Sequence, residues 1–569
     1  MTPATELSGL PVALAATLFI SGCAGTVVTP TANETSQEII PFETDGGEAS
    51  YHLLLAEMAL ERDQFDAAAR EYRMAAQLSD DAEVAQRAVT LSFGLGRNTE
   101  ALASAQRWVE LDPGNLEARR YLASIYLQNK ELDLAVGELD TMLNLYSDVP
   151  EEAFLALTGM LLEQRDQAIS MRAMDRLLAQ YPDVPAAHYG MALMSMQVGD
   201  YDSAQRHVTT SEELRPDWPR AGLLHARILV ARGDEEAGLE RAANLARDAT
   251  DPTLRLDYAL LLANLNREGE ARLELDLLLD EHPRMAGALR AAGLLEMRRG
   301  DLDAAQLHFT SLLATGRGTW EAFYYLGSIA EQRAQAGRAI RFYSQVRDGD
   351  LAITAQARAA SLYESMGEID RAVEHLTTFA NETPKLDADL HTAAAELLAR
   401  NNEVDRALEI LNETLIRHPK NRGARFARAF LYEQMDQVDT SIAELRALLK
   451  DAPEDSIALN ALGYTLVDRT DRYREGYRLI RKALELDPNN PAIIDSMGWA
   501  EYRRGDLEEA HRHLERAYGL VRDPEIAAHL GEVLYLKGQT DDALTIWQES
   551  LAENPGADVL LEVMQKFGP

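Results

Sequence analysis

The chain has 569 residues, of which 56 are Lys or Arg and 93 are Asp or Glu, so its formal net charge is −37. This acidity disfavours nucleic acid as a partner, because proteins that bind nucleic acid usually present a basic stripe. The length far exceeds what one hydrophobic core usually supports, yet no shift in composition marks separate globular domains.

The first 22 residues differ from the rest of the chain. A mainly apolar run from Leu10 to Ile20 is too short to cross a bilayer, and Cys23 follows three residues later. This pattern resembles a bacterial lipoprotein signal. In that family a diacylglycerol is attached to the cysteine and the preceding peptide is removed. The resemblance implies a signal peptide over 1–22 and lipidation at Cys23, the only cysteine of the chain.

Two further features of this region affect the expected location. The stretch before the apolar run holds Glu6 and no Lys or Arg, whereas a positively charged start is usual. Ala24 rather than Asp follows the cysteine, which in sorted lipoproteins implies the periplasmic side of the outer membrane of a Gram-negative envelope. Residues 23–48 contain Thr, Pro, Glu and Gly without sustained periodicity, which predicts a lipidated N-terminus and a flexible tether.

A helix-turn-helix unit recurs over 49–556. The segment from Pro491 to Arg522 shows it clearly, because two helical patterns of apolar residues flank a Gly-Asp break. Gly498 and Ala510 are small where the two helices must touch. The position of Ala510 recurs in fifteen units at steps of 33 to 35 residues, as Ala68, Ala101, Ala135, Ser170, Ala204, Gly238, Ala271, Ala305, Ala339, Ala372, Ala407, Ser441, Gly476, Ala510 and Ala543.

These units resemble tetratricopeptide repeats, most clearly in LGYTLVDR, MGWAEYRRGDLEEA and HLGEVLYLKGQTDDA. The resemblance implies an all-α fold, a right-handed α-solenoid of about fifteen repeats over 49–556 with a C-terminal capping segment over 557–569. Each unit would bury its apolar face only against its neighbours, so the array can grow without a larger core. Another two-helix solenoid with a looser period is the alternative.

The sequence shows no motif for catalysis or for binding a cofactor. It lacks Gly-x-Ser-x-Gly, a phosphate loop ending in Gly-Lys-Ser/Thr, and His-Glu-x-x-His. His511 and His513 stand two apart on a predicted helix, so they do not share a face and make a poor metal pair. We therefore predict a non-enzymatic protein with no catalytic residue, no metal site and no cofactor.

In tetratricopeptide repeats the first helix of each unit lines a concave surface with its second, fifth, ninth, twelfth and thirteenth residues. That register places nine candidate partner-binding residues of the last four units there, namely Phe426, Phe430, Asn460, Tyr464, Asp495, Trp499, Tyr502, Arg503 and Tyr535. Aromatic and Arg side chains carry much of the binding energy at protein interfaces. The alternative is that these rings pack against the first helix of the next unit, since aromatic rings bury readily in any core.

A lipoprotein signal, a polar tether and an uninterrupted repeat array together resemble the large tetratricopeptide lipoproteins that bind a periplasmic C-terminal processing protease. The resemblance implies a scaffold, anchored to the membrane by lipid, that brings this serine protease together with substrates such as peptidoglycan hydrolases. Two other classes stay open. One is an assembly factor for an outer-membrane machine, such as a pilus, a secretin or a polysaccharide exporter. The other is an enzyme, which would need a catalytic domain in addition to the repeats.

Overall fold

A computed structural model describes residues 47–60, 62, 64–145, 150–248 and 250–567. The predicted signal peptide, Cys23 and residues 24–46 of the predicted tether lie outside the described residues. Over the described ranges the regular secondary structure is entirely helical, which confirms the all-α fold class. None of the helices in these ranges is long and apolar enough to cross a membrane.

The chain forms two compact units, with the boundary between His308 and Phe309. The helices of the first unit are α1 (Gly47–Leu60), α2 (Phe65–Leu78), α3 (Ala82–Gly94), α4 (Asn98–Leu111), α5 (Leu116–Gln128), α6 (Leu132–Leu145), α7 (Pro150–Leu162), α8 (Gln167–Gln180), α9 (Pro185–Gln197), α10 (Tyr201–Leu214), α11 (Pro219–Ala231), α12 (Glu235–Asp248), α13 (Pro252–Asn264), α14 (Glu268–Glu281) and α15 (Ala286–Arg299). The boundary falls within α16 (Leu302–Ala314).

The helices of the second unit are α17 (Thr319–Gln332), α18 (Ala336–Tyr343), α19 (Ala352–Ser365), α20 (Ile369–Glu382), α21 (Asp387–Arg400), α22 (Val404–Arg417), α23 (Arg422–Gln434), α24 (Val438–Asp451), α25 (Ser456–Asp468), α26 (Tyr473–Leu486), α27 (Pro491–Arg504), α28 (Leu507–Leu520), α29 (Pro524–Leu536), α30 (Thr540–Glu553) and α31 (Asp558–Phe567). A 3₁₀ turn, Pro384–Leu386, precedes α21. Successive helices pair as hairpins, from α17 with α18 to α29 with α30, and α31 packs on α29 and α30.

Local signals set the ends of each helix, as α27 shows. The Asn490 side chain accepts a hydrogen bond from the backbone N–H of Ala492 at 3.2 Å, and Pro491 fills the first helical position, where its missing N–H costs nothing. The helix ends at Gly505, whose φ of +90° is a left-handed conformation that favours glycine. The chain therefore reverses here, and Asp506 caps α28.

The small residues of the repeat lie where the two helices of a hairpin meet. All fifteen residues of the series that includes Ala510 are buried. A Cβ placed on Gly498 would come within 2.6 Å of Leu514 Cγ, and one placed on Gly463 within 2.6 Å of Ile480 Cγ1. The predicted reason for the small residues, close approach of paired helices, is therefore confirmed.

Candidate protein-binding surface

All nine predicted binding residues lie on the first helices of the last four hairpins, α23, α25, α27 and α29. Polar side chains tie each of these helices to the next. Thr465 of α25 donates to Glu433 of α23 at 3.1 Å, and Tyr502 of α27 donates to Glu532 of α29 at 2.8 Å. The surface is therefore built from side chains that belong to different repeats.

His529 of α29 is buried against α27. The Trp499 ring stacks on the imidazole, with ring centroids 4.1 Å apart and 22° between the planes. The Nδ1 atom of His529 lies 3.0 Å from Asp495 Oδ1, and both residues are buried. Trp499 itself is only 8% exposed. Trp499 therefore packs on the first helix of the next unit, which is the alternative that we gave for the aromatic rings.

Asp468 connects two of the predicted residues. Its carboxylate accepts a hydrogen bond from Trp499 Nε1 at 3.0 Å, and its backbone carbonyl accepts one from Arg503 Nη1 at 3.2 Å. Arg503 also donates to the Tyr473 hydroxyl at 3.1 Å, and its guanidinium carbon lies 5.0 Å from the centre of that ring. The Arg503 side chain is therefore already engaged by Asp468 and Tyr473.

Tyr464 makes the longest connection on this surface. Its hydroxyl donates to Glu525 Oε1 at 3.2 Å, so α25 contacts α29 across the hairpin that lies between them. Burial, followed by the nearby charges of Glu525, Asp468 and Asp495, raises the pKa of Tyr464 far above its usual range. These three carboxylates therefore face a common space around the tyrosine.

The other predicted residues have different surroundings. Phe426 packs against the core between α23, α24 and α25, whereas Phe430, one turn later, is 56% exposed. The Oδ1 atom of Asn460 is buried and accepts no hydrogen bond from the described residues. Tyr535 contacts Phe567, with ring centroids 4.8 Å apart, and so belongs to the packing of the last helix.

Burial and charge perturb the ionisable groups of the surface. Burial raises the pKa of Glu433 and of Glu525. Burial alone would lower the pKa of His529, but the charge and hydrogen bond of Asp495, together with the charges of Glu525 and Asp468, more than offset burial, so that this pKa is raised. Burial and the adjacent Glu532 carboxylate raise the pKa of Tyr502 to about 12. The surface is thus acidic. Glu433, Asp468 and Glu532 each pair with a Lys or Arg side chain, whereas Glu525 has no such partner among the described residues.

Several residues of this surface were not predicted from the sequence, among them Glu433 at the twelfth position of α23. Asp468, Glu525 and Glu532 occupy the thirteenth, second and ninth positions of their helices, so the register that selected Trp499 would also have selected them. His529 stands at none of the five concave positions, and only its contacts identify it. Within the described ranges, no group of three or more His, Cys, Asp or Glu side chains could hold a metal ion.

Comparison with known proteins gives the family. Sequence models described as tetratricopeptide repeat match residues 92–159, 290–352, 358–423, 425–491 and 496–558. The chain is 32% identical over 532 residues to the TPR repeat-containing protein PA4667 of Pseudomonas aeruginosa, covering 91% of this chain and 89% of that protein. The chain therefore belongs to the tetratricopeptide-repeat family, and the predicted α-solenoid of this type is confirmed.

Two more distant similarities were also found. The chain is 21% identical over 589 residues to cellulose synthase 1 operon protein C of Komagataeibacter xylinus, covering 94% of this chain and 42% of that protein. A chain in the structure of Naa15/Naa10 bound to HypK-THB is similar with a TM-score of 0.35 and 14% identity, covering 91% of this chain and 96% of that one. Repeats of this family bind other proteins and are generally non-catalytic, so the chain is a protein-binding scaffold.

Proposed function

We propose that the protein is a lipid-anchored adaptor on the periplasmic side of the outer membrane, where it holds a C-terminal processing serine protease and its substrates in one complex. The observation that carries the proposal is a repeat array preceded by a lipoprotein-like signal over 1–22 and by Cys23 directly after it. The predicted tether over 23–48 would carry the acylated N-terminus, although its last two residues, Gly47 and Glu48, already belong to α1. Residues 49–556 would form the solenoid and 557–569 its cap. Peptidoglycan hydrolases are the proposed substrates.

The first test is capture. The full chain, tagged at its C-terminus and extracted with detergent from the envelope of its own host, should retain a serine protease with a PDZ domain. A tagged chain of equal charge that lacks repeats serves as the control for adhesion. Recovery of secretin or pilus subunits instead of the protease would contradict the adaptor role.

The second test asks whether the chain acts as a scaffold. Purified protease and a peptidoglycan hydrolase are mixed with increasing amounts of the full chain. The degradation rate should rise by roughly tenfold or more, because binding to one scaffold raises the effective concentration of the two proteins. The rate should then fall when the scaffold is in excess, because protease and substrate occupy different copies. A rate that rises to a plateau would indicate an activator of the protease.

The alternative, an assembly factor for a polysaccharide exporter, is favoured by one observation. The similarity to cellulose synthase 1 operon protein C extends over 94% of this chain. In the same capture experiment this alternative predicts recovery of envelope proteins of polysaccharide export, and an unchanged rate of hydrolase degradation in the second test.

A further inference from the structure

Two large apolar side chains remain exposed on consecutive first helices of the second unit. Phe430 of α23 is 56% exposed, and Ile457 of α25 is 49% exposed. Single exposed apolar residues are common on any protein. These two, however, stand on the same pair of helices as Glu433 and Tyr464, which the hydrogen bond from Thr465 to Glu433 joins. Both exposed apolar side chains therefore lie on helices that also carry residues of the acidic surface.

A carboxylate without a basic partner lies against these helices. Glu525 of α29 accepts the hydrogen bond from Tyr464 of α25, and among the described residues it forms no ion pair with Lys or Arg. It is accessible to solvent, yet burial by surrounding protein atoms raises the pKa of its carboxyl. Opposite charge brought to such a site would stabilise the carboxylate form.

The geometry shows that several of these groups share one space. The bond from Tyr464 to Glu525 reaches across a whole hairpin. The charges of Asp468 and Glu525 both act on Glu433, although these residues belong to three different helices. The Oδ1 atom of Asn460, one turn before Tyr464, is buried without a hydrogen-bond donor among the described residues. The face thus holds one buried acceptor without a donor among the described residues, together with several neighbouring carboxylates.

We infer that this concave face binds an extended, basic segment of a partner protein, with Lys or Arg side chains against Glu433 and Glu525 and an apolar side chain on Phe430 and Ile457. The inference rests on the proposed function as a protein scaffold and specifies what its second unit recognises. Charge complementarity selects the occupant, because desolvated carboxylates gain most from a cation. The net charge of −37 also attracts a basic segment from a distance.

Other occupants fit this face less well. The acidic groups repel the phosphates of nucleic acid. A second copy of this chain would bring its own net charge of −37. Among the described residues, the cations of the face are already engaged. Arg469 lies 2.7 Å from Asp436 and 3.9 Å from Glu433, Arg503 donates to Asp468, and Lys566 donates to Glu532 at 2.8 Å. An acidic segment would therefore have to displace one of these pairs.

The test uses the full chain and a fluorescein-labelled peptide of twelve residues that repeats Lys-Leu-Ser. Fluorescence anisotropy should show binding at least tenfold tighter than that of a peptide repeating Glu-Leu-Ser. Added salt should weaken the binding, because exposed charges are screened within about 10 Å at 0.1 M ionic strength. Equal affinities for the two peptides would overturn the inference.

Two variants locate the binding. The double substitution Glu433→Gln with Glu525→Gln keeps the shape of both side chains and should weaken the binding of the Lys peptide at least tenfold. Its matched control replaces two exposed carboxylates of second helices, Glu485→Gln with Glu549→Gln, and should change affinity less than twofold. Equal effects of the two double variants would show nonspecific attraction and would overturn the inference.

The apolar part of the face is tested separately. Phe430→Ala should weaken binding about fivefold, whereas Ile416→Ala on α22, where the side chain is 81% exposed, should leave it unchanged. Both residues are exposed, so both variants should fold, which circular dichroism checks. Equal effects of the two variants would remove Phe430 from the binding face.

The result separates the inference from the proposed function. If the Lys peptide binds at this face while the protease is not captured, the proposed partner is wrong and the binding face stands. If the protease is captured equally by the wild type and by the Glu433→Gln, Glu525→Gln variant, and that variant also binds the Lys peptide normally, the adaptor role stands and this inference is wrong.

Discussion

His529 joins two repeats through three kinds of contact. It stacks on Trp499, its ring nitrogen lies 3.0 Å from Asp495, and the carboxylates of Glu525 and Asp468 act on it electrostatically. Burial disfavours the protonated form of an imidazole, whereas a nearby carboxylate favours it. The junction between α27 and α29 should therefore be stabilised by protonation.

We expect the thermal stability of the second unit to fall as pH rises above neutrality. The pKa of His529 is raised above its ordinary 6.5 in the folded chain. The stabilisation is therefore complete below about pH 6.5 and is lost as pH rises through the folded pKa. Differential scanning calorimetry should show this decline, and His529→Gln should reduce it.

A second histidine provides the control for this measurement. Burial lowers the pKa of His513, which is the opposite shift, so His513→Gln should leave the alkaline decline in place. An identical decline in the His529→Gln variant would show that other groups cause it.

Trp499 is the second residue with a strong expected effect. Because its ring is 92% buried and packs on His529, Trp499→Ala should lower the free energy of unfolding by roughly 3 to 5 kcal/mol. Trp320→Ala, where the ring is 38% exposed, should cost less. Urea denaturation followed by circular dichroism compares the two variants, and equal costs would show that the Trp499 ring contributes no special packing.

At the scale of the helix hairpin, one close contact sets the distance between paired helices. Each of the two helices contributes a small residue to this contact, such as Gly498 in α27 and Ala510 in α28. Without a side chain on Gly498, Leu514 can pack directly on the α27 backbone. The same arrangement at Gly463 of α25 explains why each hairpin keeps a similar separation.

Two glycine substitutions in one hairpin should have opposite effects. Gly498→Ala places a methyl group 2.6 Å from Leu514 Cγ and should destabilise the protein by about 1 to 3 kcal/mol through overpacking. Gly519→Ala lies in α28 with no atom within 4 Å of the new methyl group, so it should stabilise the helix by roughly 0.5 to 1 kcal/mol. Chemical denaturation of both variants tests this. A destabilised Gly519→Ala would show that helix propensity does not decide the result.

Contacts within a hairpin were predictable from sequence, whereas contacts between hairpins were not. Gly498 and Ala510 lie on two helices that one short connection joins. The helical periodicity of the sequence is therefore enough to predict that they meet. The bond from Tyr464 to Glu525 joins residues 61 positions apart, and its formation depends on how successive hairpins turn relative to one another. No local pattern fixes that turn, so the register indicated which residues face inward but not which ones meet.

At the scale of the whole molecule, the contacts that stabilise the repeat array differ from the charges that attract a partner. Each hairpin contacts mainly its sequence neighbours, so folding depends on local packing. The acidic charge is distributed over the surface and can attract a basic partner without being needed by any single hairpin. Location in the cell is a third property, which we assign to the segment before the array.

Anchoring can be tested at a single position. Cys23→Ser removes the only thiol of the chain, so the protein should lose radiolabelled acyl chains and leave the membrane fraction, or remain unprocessed. Several acyl chains on one residue hold a protein durably, whereas a single chain binds only marginally, so the redistribution should be nearly complete.

A neighbouring substitution separates lipid attachment from sorting. Ala24→Asp leaves the thiol of Cys23 in place, so this variant should keep its acyl label but move to the inner membrane, by resemblance to sorted lipoproteins. Density-gradient fractionation resolves the two membranes. If Cys23→Ser changes neither the acyl label nor the fractionation, a different feature anchors the protein. If only Ala24→Asp has no effect, lipidation stands and the sorting assignment is wrong, so the adaptor would act at another membrane.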